Sequence, residues 1–227
     1  MKPLVFIPSP RDIHEFLECA DKIKLDKYWV KYYRPEILAY QELRRFFLER
    51  IEYTHLIILP DDLIVSANDV NTLIGHVTKN PELQIVSGFC NIDTTDLKDY
   101  ANICIELVSD KRPRDYYWKT FSEFDKYCQE NKNEQGLIKA KFSGFPLMII
   151  ARQVIENIEF RNDSMSGISE DGCCIDVTFC YDAHLKGYDI YVDPSLRLYH
   201  MKIADGRYQN MIRDQKPYTK LELMAVI

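Results

Sequence analysis

Glycine-rich phosphate loops are missing from this sequence. Its eight glycines stand at 75, 88, 136, 144, 167, 172, 187 and 206, and none forms GxGxxG or GxxxxGK[ST]. Dinucleotide-dependent enzymes and P-loop NTPases, which cradle phosphates on such loops, are therefore disfavoured. HExxH is absent, because His14-Glu15 is not followed by a second histidine, and GxSxG does not occur. The seven cysteines, at 19, 90, 104, 128, 173, 174 and 180, contain no CxxC and no even framework. Zinc and disulfide scaffolds are both poor readings, and several of these cysteines lie in apolar stretches as free core thiols do. Positive charge is in deficit: 29 Lys and Arg against 35 Asp and Glu give a net charge of -6. Bulk electrostatics thus favours neither nucleic acid nor an anionic membrane, and an anionic ligand would need a metal or a helix N-terminus. No apolar run approaches the length of a membrane span, and MKPLVFIPSPRD starts a strand without a signal-like apolar region. The expected location is the cytoplasm, and without a secretory route the sequon Asn162-Asp163-Ser164 carries little weight.

What is present is an ordinary globular composition, 227 residues with 46% hydrophobic and 28% charged. That length is ample for a sizeable core. Residues 4–7 read as a buried strand ended by Pro8-Ser9-Pro10, and 12–24 follow with helical spacing at Ile13, Phe16, Leu17, Ala20 and Ile23. A strand over 28–33 precedes a long helix with Pro35 in its first turn and Tyr40, Leu43, Phe47 and Ile51 on its apolar face. Residues 56–59 form another buried strand. The 68–79 helix follows with Asn68 as its N-cap, then a strand over 84–87 closed by Gly88. This alternation predicts a mainly parallel central sheet with helices on both faces. Residues 91–137 break the rhythm with a polar, aromatic-rich stretch suited to an insertion or partner surface. Residues 139–151 resume as one apolar strand, 153–158 as a short helix and 172–186 as a helix stopped by Gly187. A strand over 189–192 and a polar tail complete the chain.

Three places carry chemistry. In HLIILPDDLIV, Pro60 ends a strand and delivers Asp61 and Asp62 at its carboxyl end, where open α/β sheets bind ligands. Pro-Asp-Asp is equally good turn chemistry. In SEDGCC, Glu170 and Asp171 stand immediately before a helix, as caps or as a general base. In LYHMK, His200 is either structural or a neutral ligand completing an oxygen-rich site for a cation such as Mn²⁺.

Taken in order, these segments resemble a glycosyltransferase of the GT-A fold, close in style to inverting family-2-type enzymes. The match runs over roughly 4–90 and 139–202: LVFIPSP at the nucleotide pocket, LIILPDDLIV at the DxD motif, QIVSGF, KFSGFPLMII, and SEDGCCIDVTFCYDAHLKGYDIYVDPSLRLYH. The last is the most specific, since an acid pair, a helix, Gly187-Tyr188 and His200 arrive in order. The usual first aspartate of DxD aligns with Pro60, which leaves Asp61 at the middle position and Asp62 at the last.

The resemblance implies an α/β, GT-A-like fold in one domain. Residues 1–90 would form the nucleotide-sugar half, 91–138 a variable insertion, 139–202 the acceptor and catalytic half, and 203–227 a tail. It implies a hexosyltransferase-type enzyme that moves a sugar from a nucleotide-sugar donor to a glycan, protein or lipid-linked hydroxyl, with inversion. Asp62 and His200 would hold Mn²⁺ or Mg²⁺. Pro8, Ser9, Arg11, Asp61 and Gly144 would bind the nucleotide sugar, and Asp171 would be the base with Glu170 next. A diphosphate facing two aspartates on an acidic protein needs a bridging dication, which supports the metal. Two other readings compete. Pro60 motivates an inactive donor- or partner-binding module, and a sugar-phosphate nucleotidyltransferase shares the plan but normally carries a glycine-rich loop that PSPRD lacks.

Overall fold

The structure, a computed structural model, describes residues 1–8, 13–30, 36–92, 100–107, 116–161, 175–204 and 207–211. The chain opens with β1 (Pro3–Ile7), α1 (His14–Lys22), β2 (Asp26–Trp29), α2 (Glu36–Leu48) and β3 (His55–Ile58). A short β4 (Leu63–Ile64), α3 (Ala67–Lys79) and β5 (Ile85–Phe89) follow. Next come β6 (Asn91–Ile92), β7 (Tyr100–Leu107), β8 (Tyr116–Thr120) and α4 (Phe121–Asn131). Then β9 (Ile138–Ala140), β10 (Phe142–Ser143), β11 (Met148–Ala151) and α5 (Arg152–Asn157) lead to α6 (Ile175–Leu185). The last elements are β12 (Ile190–Arg197), β13 (Tyr199–Ala204) and β14 (Arg207–Met211).

Seven strands form the central sheet in the order β2-β1-β3-β11-β5-β12-β9. Strands β2, β1, β3, β5 and β12 point one way, while β11 and β9 run against them. The sheet is thus mixed, with a parallel majority. Successive residues of a strand face opposite sides, and both sides here are covered. Leu4, Phe6, Leu56, Ile58, Met148 and Ile150 join one core with Tyr40, Leu43 and Phe47 of α2 and Phe179 of α6. Val5, Ile7, Ile57, Ile149 and Val86 join the other with Phe16 of α1 and Val70 and Leu73 of α3. Unbroken apolar runs in β1, β3 and β11 follow directly from this double burial.

Residues 91–138, expected to break the rhythm as an insertion or partner surface, supply β6, β7 and β8, which with β10 from just beyond them form an antiparallel sheet in the order β10-β7-β6 with β8 paired to β7. Helix α4 starts with a capping box from Thr120 and Glu123, and Phe121, Phe124 and Cys128 pack against Ala101 and Ile103 of β7. Phe89 and Val192 share that cluster, so the segment is fused to β5 and β12.

Several sequence expectations need correction. The apolar stretch 139–151 is three strands in two sheets, because the Ser143-Gly144-Phe145-Pro146 turn redirects it between β10 and β11. Strand β5 continues through Gly88 to Phe89, and β12 continues through Pro194 to Arg197. Ser66, not Asn68, caps α3: its Oγ accepts from the Asp69 amide at 3.2 Å, and its own amide donates to Asp69 Oδ2 at 2.8 Å. Helix α2 ends at Leu48, leaving Ile51 86% exposed rather than on a core face. Strand β2 starts two residues earlier than expected, and the polar tail begins as the β13–β14 hairpin. Pro35 lies outside the described residues. Cys19, Cys90, Cys104, Cys128 and Cys180 are buried free thiols, as their apolar surroundings implied. Among the described residues, no helix is long and apolar enough to cross a membrane.

Candidate functional site

The five co-directional strands end on one edge of the sheet, and the residues that follow them supply the polar groups there. Half-buried Pro8 follows β1, Asp61 and Asp62 follow β3, and Cys90 and Asn91 follow β5. Antiparallel β11 begins on this same edge, because Met148 pairs with Ile58 and Ser87, and this brings Gly144 there too. Ligands of open α/β sheets bind at this end of the strands.

Asp61 and Asp62 occupy the turn between β3 and β4, with Asp61 almost fully buried at 1% exposure. The β4–β13 pairing sets His200 opposite Leu63, and the Met201 amide donates to the Asp62 carbonyl at 2.6 Å. His200 Nε2 is thereby held 3.3 Å from Asp62 Oδ2, although 138 positions separate the two in sequence. His200 Nδ1 donates to the Asn91 carbonyl at 2.9 Å. A carbonyl only accepts, so Nδ1 must carry a proton, and the neutral ring presents its lone pair at Nε2. Burial works against the imidazolium, but Cys90 and the Asp62 carboxylate more than offset it, and the His200 pKa is pushed up to about 10. A protonated ring forms an ion pair with Asp62, and a dication binding there would have to displace that proton.

The donor set fits a hard or borderline dication. Two ligand atoms each about 2.1 Å from one ion, at about a right angle, lie about 3 Å apart, close to the separation found here. The Asn91 carbonyl fixes the ring as outer-shell partners of metal-bound histidines do. Among the described residues no third His, Cys, Asp or Glu joins the pair. Such a site leaves positions for water and phosphate oxygens, as Mg²⁺ sites in nucleotide enzymes commonly do. The neighbouring Asn91 carboxamide is buried, and among the described residues neither of its polar atoms has a hydrogen-bond partner. Buried unsatisfied amides are rare, which makes this strand end more polar than a packed core requires.

A second cluster lies on the other edge of residues 90–91. The Asn102 amide donates to the Cys90 carbonyl, and the Cys90 amide donates to Asn102 Oδ1, both at 2.9 Å. The Gly144 amide in turn donates to the Asn102 carbonyl at 3.1 Å. Asp176, in the first turn of α6, reaches the same place: a Cβ built on Gly144 would stand 3.0 Å from Asn102 Nδ2 and 3.4 Å from Asp176 Oδ2. Asp176 Oδ1 accepts from the Val177 amide at 2.8 Å. Burial outweighs this bond and raises the carboxyl pKa to about 6. Some of its surface still meets solvent, so the group is embedded but accessible. Helix α6 is fixed by Cys180, whose thiol donates to the Ser143 carbonyl at 3.3 Å, and by a bidentate Arg161–Asp182 pair.

Of the residues singled out in the sequence, the structure brings together Asp62 and His200, with Asp61 in the same turn, and places Pro8 and Gly144 on the same sheet edge. Ser9, Arg11, Glu170 and Asp171 lie outside the described residues. Asn102 and Asp176 were not singled out. Asp176 carried a usable signal, an acid in the first turn of an otherwise apolar helix face, but Glu170-Asp171 just upstream offered a louder one.

No protein-family model matches the chain, and no curated protein matches it significantly. Among solved structures it is similar to A197 from STIV, with 16% identity and a TM-score of 0.61 over 95% of this chain and 92% of that one. It is also similar to GalNAc-T7, crystallised with UDP, GalNAc and Mn²⁺, with 12% identity and a TM-score of 0.56. That match covers 91% of this chain and 44% of that one, so the chain spans less than half of GalNAc-T7. A CMP:2-keto-3-deoxy-manno-octonic acid synthetase complexed with CTP matches at a TM-score of 0.42, too low to carry an argument. At these identities the likeness concerns the fold alone, and the fold is α/β with a mixed seven-stranded sheet of GT-A-like architecture.

Proposed function

We propose that the protein is a metal-dependent glycosyltransferase that moves a sugar from a nucleotide-sugar donor to an acceptor hydroxyl with inversion. The observation that carries this reading is the placement of Asp62 with His200 on one edge of residues 90–91 and Asp176 on the other. In a single displacement the attacking oxygen must approach the sugar opposite its leaving group, and these two clusters stand on opposite sides. The GT-A-like fold, shared with a GalNAc-T7 structure that contains UDP, GalNAc and Mn²⁺, supports the same assignment.

Asp62 and His200 Nε2 would hold Mn²⁺ or Mg²⁺. When bound, the ion supplies Lewis-acid stabilisation to a departing diphosphate. Asp61, Pro8, Ser9 and Arg11 would line the nucleotide pocket, with Gly144 towards the sugar. Asp176 would take the acceptor proton, since a carboxyl with a pKa of about 6 is ionised at neutral pH yet more basic than an ordinary aspartate. Asp171 and Glu170, just upstream of the same helix, are the competing bases, and comparing Asp171→Asn with Asp176→Asn separates them.

One observation favours a second reading, a donor- or partner-binding module without catalysis: the Asp62–His200 ion pair is satisfied without a cation. Thermal denaturation with nucleoside diphosphates, with and without Mn²⁺, tests the shared premise. The expected result is a rise in midpoint that needs both nucleotide and Mn²⁺ and disappears in Asp62→Ala. A rise unaffected by Asp62→Ala removes Asp62 from the metal site.

A further inference from the structure

Among the described residues, Asn102 Nδ2 and Asp176 Oδ2 are a donor and an acceptor without a hydrogen bond, both facing the Cα of Gly144. Asn102 is nearly buried, at 5% exposure, and its orientation is determined: the Cys90 amide only donates, so the atom facing it must be Oδ1 and the other must be Nδ2. Asp176 spends Oδ1 on the Val177 amide and leaves Oδ2 without a hydrogen bond among the described residues. Both free atoms border the face of Gly144 where any larger residue would carry a Cβ. Glycine at this position keeps the space between them open.

We propose that this notch is a clamp for the acceptor hydroxyl, with Asp176 Oδ2 accepting its proton and Asn102 Nδ2 donating to its oxygen. This rests on the glycosyl-transfer reading and deepens it. In the step, the acceptor O–H bond breaks as its proton passes to Asp176 Oδ2, and the oxygen forms the new bond to the sugar anomeric carbon. The bond from that carbon to the diphosphate breaks, and the diphosphate leaves with the electron pair. A hydroxyl both donates and accepts, so it satisfies the pair, whereas an ammonium or guanidinium has no lone pair for Asn102 Nδ2 to donate to. A charged ammonium or guanidinium is therefore excluded at this position, and a neutral alcohol fits it.

Asn102→Asp is the test, because it replaces the donor with an acceptor oxygen while retaining Oδ1 for the Cys90 amide. Wild type and variant are compared for nucleoside diphosphate release from a panel of nucleotide sugars with Mn²⁺, using methyl glycosides and their amino-sugar analogues as acceptors. Stabilisation by nucleoside diphosphate with Mn²⁺ is measured on both proteins to confirm folding and donor binding. The clamp predicts retained stabilisation, release with the alcohols lowered about tenfold or more, and no release stimulated by an added amino group. If Asn102→Asp does not fold, Gly144→Ala replaces it, since its Cβ would meet Asn102 Nδ2 at 3.0 Å; the same loss of transfer with retained nucleotide binding is expected. Release at the wild-type rate in the folded variant overturns the clamp alone. No release by wild type from any nucleotide sugar overturns the transferase reading and the clamp with it.

Discussion

Asp176 illustrates how one side chain's surroundings decide its chemistry. Its carboxyl titrates at about 6, above the ordinary aspartate value of 3.8, because burial penalises the charge. The folded chain therefore holds a proton that the unfolded chain has released between those values. The resulting destabilisation is absent below about 3.8, grows as pH rises and is complete above about 6. Asp176→Asn removes it, so its thermal midpoint at pH 7 should exceed that of wild type, with the difference gone by about pH 4. A lower midpoint at pH 7 would show that the carboxylate is structurally required. The same substitution should depress transfer by about 10²–10⁴-fold, the usual contribution of a general base. Wild-type transfer should rise with pH through about 6 and then level. Little of this was legible in the sequence, because titration depends on burial that only the packing of α6 on β10 creates. Asp62 and His200 were legible as an ordered pair of signals, yet their 3.3 Å separation comes from the β4–β13 pairing, which two apolar residues at Leu63 and Ile64 do not announce.

Strands and helices were more readable where apolar period and burial coincide. The runs in β1 and β3, the apolar face of α3 and the Gly187 stop of α6, with φ of 78°, all stand where the pattern put them. Sequence patterns failed where one stretch serves two partners. Residues 139–151 look like a single strand because every segment is buried, but β9 pairs with β12, β10 with β7 and β11 with β3 and β5. Gly88 was read as a terminator, yet it is needed inside β5 because β12 passes close by. A Cβ there would lie 2.8 Å from the Leu196 carbonyl oxygen and 3.1 Å from Leu198 Cδ1. Backbone cannot yield as a flexible side chain would, so Gly88→Ala should destabilise the fold by about 1–3 kcal/mol in urea denaturation. Unchanged stability would mean that β5 and β12 separate there without cost.

Across the whole molecule, the parallel strands converge on one edge and the antiparallel β11 sits between β3 and β5, where the sheet changes direction. Acidic residues after β3, polar residues after β5 and the Gly144 turn before β11 meet there because the topology requires it. The alternation of strands and helices predicted the parallel majority of the sheet but not the antiparallel β11 or the Gly144 turn before it. It did not predict the second sheet either, built mostly from residues 91–138, whose polar and aromatic sequence has no simple period, although that sheet supplies Asn102 to the candidate site. If the two polar clusters flanking residues 90–91 act together on a nucleotide sugar, both are needed for its turnover. Its most direct measurement is nucleoside diphosphate release from a nucleotide-sugar panel by wild type, Asp62→Ala and Asp176→Asn, each with Mn²⁺ and with the metal chelated. Wild type should release nucleoside diphosphate only with Mn²⁺, Asp62→Ala should lose both release and nucleotide binding, and Asp176→Asn should lose release while retaining binding. Metal-independent release, or release by Asp176→Asn at the wild-type rate, would contradict joint action of the two clusters.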